Sequence, residues 1–147
     1  MLRMEIRELG HEDAFTAYAA MRELRPHVAT EESFVNSVRE QFTDGYRVIA
    51  AFAPGTAEAL AACGFRRMRN LAWGDHVYID DLSTLPAARG QGAATALLQW
   101  VHREAERLGC AQVHLDSGVQ PERQAAHRLY FTKGYRISSY HFQRTVG

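Results

Sequence analysis

The chain has 147 residues, 46% apolar and 23% charged, which is enough for one buried core of ordinary composition and leads us to read it as a single domain, residues 1–147. Its 17 basic side chains balance 17 acidic ones, and that neutrality argues against a nucleic-acid binder, which needs a basic surplus to displace counterions from phosphates. No apolar run reaches the roughly 18 to 20 residues of a membrane span, and Met1–Gly10 lacks the apolar centre and cleavage site of a secretion signal, so no membrane association and a cytoplasmic protein are expected.

Leu2 to Arg7 alternates apolar Leu2, Met4 and Ile6 with polar neighbours, the period of a half-buried first strand. From Asp13 to Leu24, Ala14, Ala17, Tyr18, Met21 and Leu24 recur at helical spacing until Pro26. A second helix starts at Thr30, a fitting N-cap, with Glu31 and Glu32 in the first turn and Phe34, Val35, Val38 and Phe42 as its buried stripe. Tyr46–Phe52 reads as a strand closed by Pro54-Gly55, and Ala57–Met68 and Asp75–Leu82 read as strands around the loop Asn70–Gly74, so an antiparallel meander is expected.

Helix returns at Ala94–Leu108, where Ala94, Leu97, Leu98, Val101, Ala105 and Leu108 share one face and Gly109 suits the C-terminal cap. Val113 and Leu115 make a short strand, Glu122–Thr132 a helix ended by Lys133-Gly134, and the last strand or strands lie within Tyr135–Val146. The order is β-α-α-β-β-β-α-β-α-β, an α+β fold with helices on both faces of the sheet. Cys63 and Cys110 have no metal-type spacing and read as reduced, packed thiols. The histidine spacings match no paired metal site, so no metal is expected.

Arg89-Gly90-Gln91-Gly92-Ala93-Ala94 lies between a strand ending near Thr84 and the helix from Ala94. Glycines at a strand-to-helix turn let backbone N–H groups approach an anion, and the helix's unpaired amides and positive dipole end favour phosphate oxygens. A plain structural turn is the competing account. The loop lacks the Gly-Lys-Ser/Thr of a P-loop and the third glycine of the dinucleotide fingerprint.

This stretch resembles the acyl-coenzyme A signature of the GNAT family of N-acetyltransferases, Gln/Arg-x-x-Gly-x-Gly/Ala, with Arg89, Gly92 and Ala94 at its fixed positions and Pro86 three residues before the Arg. The family's Ala-x-x-Leu-Tyr-x-x-x-Gly-Phe pattern is echoed by Ala126 to Tyr135, so the resemblance runs from Tyr46 to Tyr135. It implies a mixed, mostly antiparallel sheet of six to seven strands flanked by about four helices. The fourth and fifth strands would part for pantetheine, and acetyl-CoA would be the co-substrate. The backbone of Leu82, Ser83 and Thr84 would pair with pantetheine, and Gly90, Gln91, Gly92, Ala93, Ala94 and Thr95, after Arg89, would hold the pyrophosphate. Where the family often has a cofactor-binding Asn, seven residues before the helix tyrosine, this chain has Arg123; Arg123 could bind phosphate instead, or Gln120 could replace the amide. Similar proteins are often dimers, which makes a homodimer an option here.

Acetyl transfer to an amine needs a neutral nitrogen, a polarised thioester carbonyl and a proton for the departing thiolate. Tyr130 falls where the family carries its general acid, although it could simply pack against the sheet. A phenol near pKa 10 and a thiol near 8.5 are close enough for proton delivery. Asp80 and Asp81 lie on a strand, so they are expected to face opposite ways, with at most one reaching a given site. Tyr78-Ile79-Asp80-Asp81-Leu82 is similar to the strand of polyamine acetyltransferases, which favours Asp80 as base; a solvated face with a structural hydrogen bond is the alternative. Asp75, Asp80, Asp81 and Asp116 would form an acidic mouth for a small cationic amine. The Arg66, Arg67 and Arg69 cluster reads as a solvated face, with recognition of the 3′-phosphate of coenzyme A or of an acidic substrate group as the lesser account. Asp116, Ser117 and His127 lack the Gly-x-Ser-x-Gly elbow of a hydrolase triad. Direct acetyl transfer within a ternary complex is thus the leading reading; a non-catalytic acyl-CoA-binding or regulatory module, or acetylation of a protein amine, is the rival.

Overall fold

A computed structural model describes residues 3–147, so Leu2, the start of the expected first strand, lies outside the described residues. The chain divides into two units, residues 1–114 and 115–147, with the boundary inside the fifth strand. In the first unit, β1 (Glu5–Leu9), β2 (Tyr46–Phe52), β3 (Ala61–Asn70) and β4 (Gly74–Thr84) form the expected antiparallel meander, and the sheet order is β1-β2-β3-β4-β5, with β5 at Val113–Leu115. The β3–β4 hairpin closes where the Trp73 N–H donates to Asn70 Oδ1 at 2.7 Å and Gly74 takes φ 64°.

Strand period sorts side chains onto two faces. Tyr46, Val48, Ala50 and Phe52 of β2 turn to one face, where they pack with Leu9, Ala62 and Ala14, Ala17, Ala20, Met21, Phe34 and Val38. Those last residues belong to the segment leading into α1 (Tyr18–Leu24), to α1 itself and to α2 (Glu31–Phe42). The small side chains Ala17, Ala20, Ala50 and Ala62 let helix and sheet backbones approach closely. Ile49 and Phe65 turn to the opposite face, toward α3 (Ala93–Arg107), whose Leu97, Leu98 and Val101 are fully buried and whose Trp100 ring lies 5.9 Å from that of Phe65. Each such buried side chain stabilises the fold by roughly 1.5–3 kcal/mol relative to exposure.

Local chemistry accounts for the helix ends. Thr30 accepts the Ser33 N–H as the N-cap of α2, as expected. Ala14–Ala17 winds as a 3₁₀ turn rather than α-helix, because Asp13 C=O takes both the N–H and the hydroxyl of Thr16. The strand expected from Ala57 begins at Ala61, since Ala59 N–H is drawn to Thr16 C=O instead. Gly109, at φ 76°, ends α3 with the paired bonds Cys110 N–H to Ala105 C=O and Gly109 N–H to Glu106 C=O.

The second unit holds a 3₁₀ turn, Pro121–Arg123, followed by α4 (Gln124–Thr132). Gly134 (φ 88°) closes α4 in the same way: its N–H reaches Phe131 C=O, the Tyr135 N–H reaches Tyr130 C=O, and the two tyrosine rings meet at 5.8 Å. The Leu-Tyr-x-x-x-Gly-Tyr spacing is therefore a helix-stop motif as well as a signature. The strands expected within Tyr135–Val146 do not form: Ile137, Tyr140, Phe142 and Val146 are exposed, and alternation without a ladder partner does not make a strand. The sheet thus has five strands among the described residues rather than six or seven, while the fold class stands. No helix among the described residues is long and apolar enough to cross a membrane.

Candidate active site

After β4, a 3₁₀ turn at Pro86–Ala88 redirects the chain, and Arg89 enters the loop in extended conformation. Gly90 (φ 79°) and Gly92 (φ 88°) both occupy the left-handed region, where an L side chain costs roughly 1–2 kcal/mol. Gly92 is the N-cap of the fifteen-residue α3, and a glycine has no side chain with which to occupy the first amides of the helix. The N–H groups of Ala93, Ala94 and Thr95 therefore remain at a positive helix end, a fit for a pyrophosphate of the kind acetyl-CoA carries. Leu82, Ser83 and Thr84 lie at the end of β4 nearer this loop. Strand β5, three residues long, is too short to cover the eleven-residue β4, and it meets β4 near Val77, whose N–H donates to Gln112 C=O.

Between these two regions the β3–β4 ladder slips. Gly64 pairs with Asp81 and Phe65 with Ile79, so Asp80 is an extra residue on β4, a β-bulge. The bulge cancels one step of the alternation. Asp80 and Asp81 were expected on opposite faces, yet both turn to the side of α1 and α2 and join one hydrogen-bonded cluster. Asp81 is fully engaged: Oδ1 accepts from Arg25 Nε at 2.8 Å and Oδ2 from the Tyr46 hydroxyl at 2.6 Å. Asp80 accepts through Oδ2 from Arg66 Nε at 2.9 Å, and Arg66 Nη2 also lies 2.8 Å from Oδ2; Oδ1 has no protein donor among the described residues. Arg25 Nη2 donates to the Asp80 carbonyl at 2.9 Å, tying the C-terminus of α1 to the bulge.

The electrostatics separate the two acids further. Burial raises the Asp80 carboxyl above its usual range, with the Arg66 bonds opposing that rise, so this carboxylate is a stronger base than an exposed one. Burial and then the Asp81 charge hold the Tyr46 phenol well above its ordinary value, and it stays a proton donor to Asp81. The Tyr46 ring crosses the space over Gly64, where any Cβ would overlap its hydroxyl. Sequence reasoning missed Arg25 and Tyr46 as site residues and placed Arg66 on a solvated face. The available signals were Gly64, since a glycine inside a strand marks close approach, and two adjacent strand carboxylates in need of partners.

The expected acidic mouth is not an uncompensated one. Asp75 is held by Arg69 at 3.0 and 3.1 Å and approached by Arg67 at 3.7 Å, so all three carboxylates of β4 carry arginine partners. A separate aromatic group stacks nearby: Trp73 lies on His114 at 3.8 Å, and the buried His76 donates from Nδ1 to Gly74 C=O. No group of three or more metal-type ligands occurs among the described residues.

In the second unit, Tyr130 is buried with its ring against Tyr135, and Arg123 is the partly exposed N-cap of α4. Gln120 folds its side chain over Gly118. His127 Nε2 contacts Gly118 C=O at 2.8 Å and Ser117 Oγ at 3.1 Å; a carbonyl only accepts, so that nitrogen carries the proton and cannot deprotonate Ser117. Asp116 pairs with His141 instead, which removes the triad reading.

Comparison with known proteins agrees with this fold. The model of the "Acetyltransferase (GNAT) family" matches residues 12–135. An uncharacterized N-acetyltransferase of Bacillus subtilis is 31% identical over 131 residues, covering 88% of this chain and 89% of that protein. The aminoalkylphosphonate N-acetyltransferase of Salmonella typhimurium is 26% identical over 143 residues, covering 97% and 91%. The crystal structure of the aminoglycoside N-acetyltransferase AAC(6')-Iy in complex with CoA superposes with TM-score 0.82 at 18% identity, over 99% of this chain and 96% of that one.

Proposed function

The chain belongs to the GNAT acetyltransferase family and is an acetyl-CoA-dependent N-acetyltransferase, and from that premise we propose that it acetylates the primary amine of a small cationic molecule by direct transfer in a ternary complex. The observation that carries this reading is the glycine-capped mouth of α3, which follows a strand whose bulge presents a carboxylate with one oxygen unengaged.

In this reading the amides of Ala93 to Thr95, with Arg89, Gly90, Gln91 and Gly92, grip the pyrophosphate. Leu82 to Thr84 offer backbone groups to pantetheine. A ligand running back along β4 from the loop brings its thioester toward Asp80, about 13 Å from Thr84 at the usual strand rise. Asp80, rather than Asp81, is the base: Asp81 has spent both oxygens on the clamp, whereas Asp80 Oδ1 is open and its carboxyl is raised by burial. An ammonium near pKa 10 exceeds even a raised carboxylate, so Asp80 draws the proton off through solvent and acts on the neutral fraction. As the C–N bond forms and the C–S bond breaks, the nitrogen gives up its second proton to solvent by the same Asp80 route. Tyr130, the acid the family resemblance supplies, protonates the sulfur, and solvent returns a proton to Tyr130, so one proton is released overall.

Titration calorimetry with acetyl-CoA, joined to thiol release across a panel of small amines, tests the proposal. Saturable binding with amine-dependent thiol release is expected. Binding without release on any amine leaves a non-catalytic acyl-CoA module, and no binding at millimolar ligand by folded protein overturns the reading altogether.

A further inference from the structure

We propose that Arg25 determines acceptor specificity and that the preferred amine also bears an acidic group, a carboxylate or phosphonate, which docks on the outer edge of its guanidinium. This rests on the acetyltransferase reading above and replaces its small cation with a zwitterion as the preferred acceptor. Charge balance carries the argument first. The bulge cluster contains two carboxylates, Asp80 and Asp81, and two guanidinium groups, Arg25 and Arg66, so it is electroneutral as it stands. A dication entering it would add positive charge where a single carboxylate oxygen is unengaged, and would compete with both arginines for the rest. A zwitterion keeps the cluster neutral, its ammonium at Asp80 Oδ1 and its acid at a guanidinium.

The geometry then selects between the arginines. Arg66 is largely enclosed: its Nε and Nη2 serve Asp80 and Gln41, and its guanidinium lies 5.0 Å from the centre of the Tyr46 ring. Arg25 spends Nε on Asp81 and one Nη2 proton on the Asp80 carbonyl, and its side chain is 45% exposed. Among the described residues its Nη1 has no acceptor. A guanidinium carries five N–H donors in a fixed fork, so three remain, and one on Nη1 and one on Nη2 run parallel along the end edge, enough for a bidentate bond to a carboxylate or phosphonate. The two bonds already made fix that edge beside the Asp80 residue, which couples the position of the acid to that of the reacting amine. Arg25 is thus a binding residue for the acceptor, held in place by the bulge it braces.

The test is a matched acceptor panel with the whole chain: β-alanine and aminoethylphosphonate as acid-bearing amines, ethanolamine as the uncharged match and putrescine as the dication. Wild-type kcat/KM is expected to favour an acid-bearing amine over ethanolamine and putrescine by about 10- to 100-fold, through KM. The two acids tell carboxylate from phosphonate. Arg25→Gln should collapse that ratio, with Arg25→Lys restoring part of it, while Tyr46→Phe, which loosens the clamp but keeps the guanidinium, should lower rates and preserve the ratio. Equal or better use of ethanolamine or putrescine by wild-type protein overturns the inference while leaving acetyl transfer intact, and requires no variant to fold. An unchanged ratio in Arg25→Gln overturns it as well. No thiol release with any amine sinks the acetyltransferase reading and this inference together.

Discussion

Replacing Gly92 with alanine isolates what the mouth of α3 does. At φ 88° the residue lies where an alanine costs roughly 1–2 kcal/mol, whatever room the side chain has. The variant must either hold that conformation, at a cost in stability, or relax to negative φ and re-aim the amides of Ala93 to Thr95. If the cost appears as lost stability, a chain of this size should melt about 2–8 °C lower. If it appears as re-aimed amides, acetyl-CoA affinity should fall by roughly 5- to 30-fold, the same energy read as a dissociation constant. Calorimetric titration beside thermal unfolding separates the two, and asparagine, which tolerates positive φ better, should fall between glycine and alanine. An unchanged melting temperature with unchanged affinity in the alanine variant would refute the role given to these amides, because the loop would then have relaxed and turned them without losing the anion.

The remaining expectations concern protons. Asp80→Asn should lower kcat by on the order of 10²- to 10⁴-fold with little change in acetyl-CoA binding, and should remove the acidic limb of the pH–rate profile; a retained limb assigns the base elsewhere. Tyr130→Phe should cut turnover by about ten- to a thousandfold at near-constant cofactor affinity, whereas unchanged turnover makes Tyr130 a packing residue alone. On the α3 face, the Arg107 and Arg47 guanidinium groups hold the Glu104 carboxyl down at about 2. A depressed acid stabilises the fold above its unfolded value near 4.5, and that contribution disappears as the pH falls toward about 2. Acid unfolding followed by circular dichroism should therefore begin at higher pH in Arg47→Met; an unmoved midpoint shows that the ion pairs add nothing.

What the sequence disclosed divides along the range of the interactions. Thr30, Gly109 and Gly134 act within a turn of their own helix, so their caps were legible residue by residue. The glycine loop was equally local: of its two positive-φ residues the motif names Gly92, while Gly90 falls at a position the motif leaves open. The bulge was not legible. One surplus residue on β4 arises from how that strand meets β3, and nothing within Tyr78 to Leu82 announces it. The arginines that neutralise Asp80 and Asp81 were hidden for the same reason, since Arg25 is far away in the chain and Arg66 meets Asp80 across the hairpin. The C-terminal stretch misled in the opposite direction: its strand-like composition is real, but pairing is a property of neighbours, and Tyr140 and Phe142 have none in a ladder.

The surplus residue of β4 has one more consequence. Because Tyr78 and Asp81 already turn to the same side, excising Asp80 would restore a regular ladder without reversing Leu82, Ser83 or Thr84. The architecture would survive the deletion, since no core side chain changes allegiance. If Asp80 is the base proposed above, fold and chemistry are separable here by a single codon, and a chain lacking it would be a well-made sheet without that carboxylate.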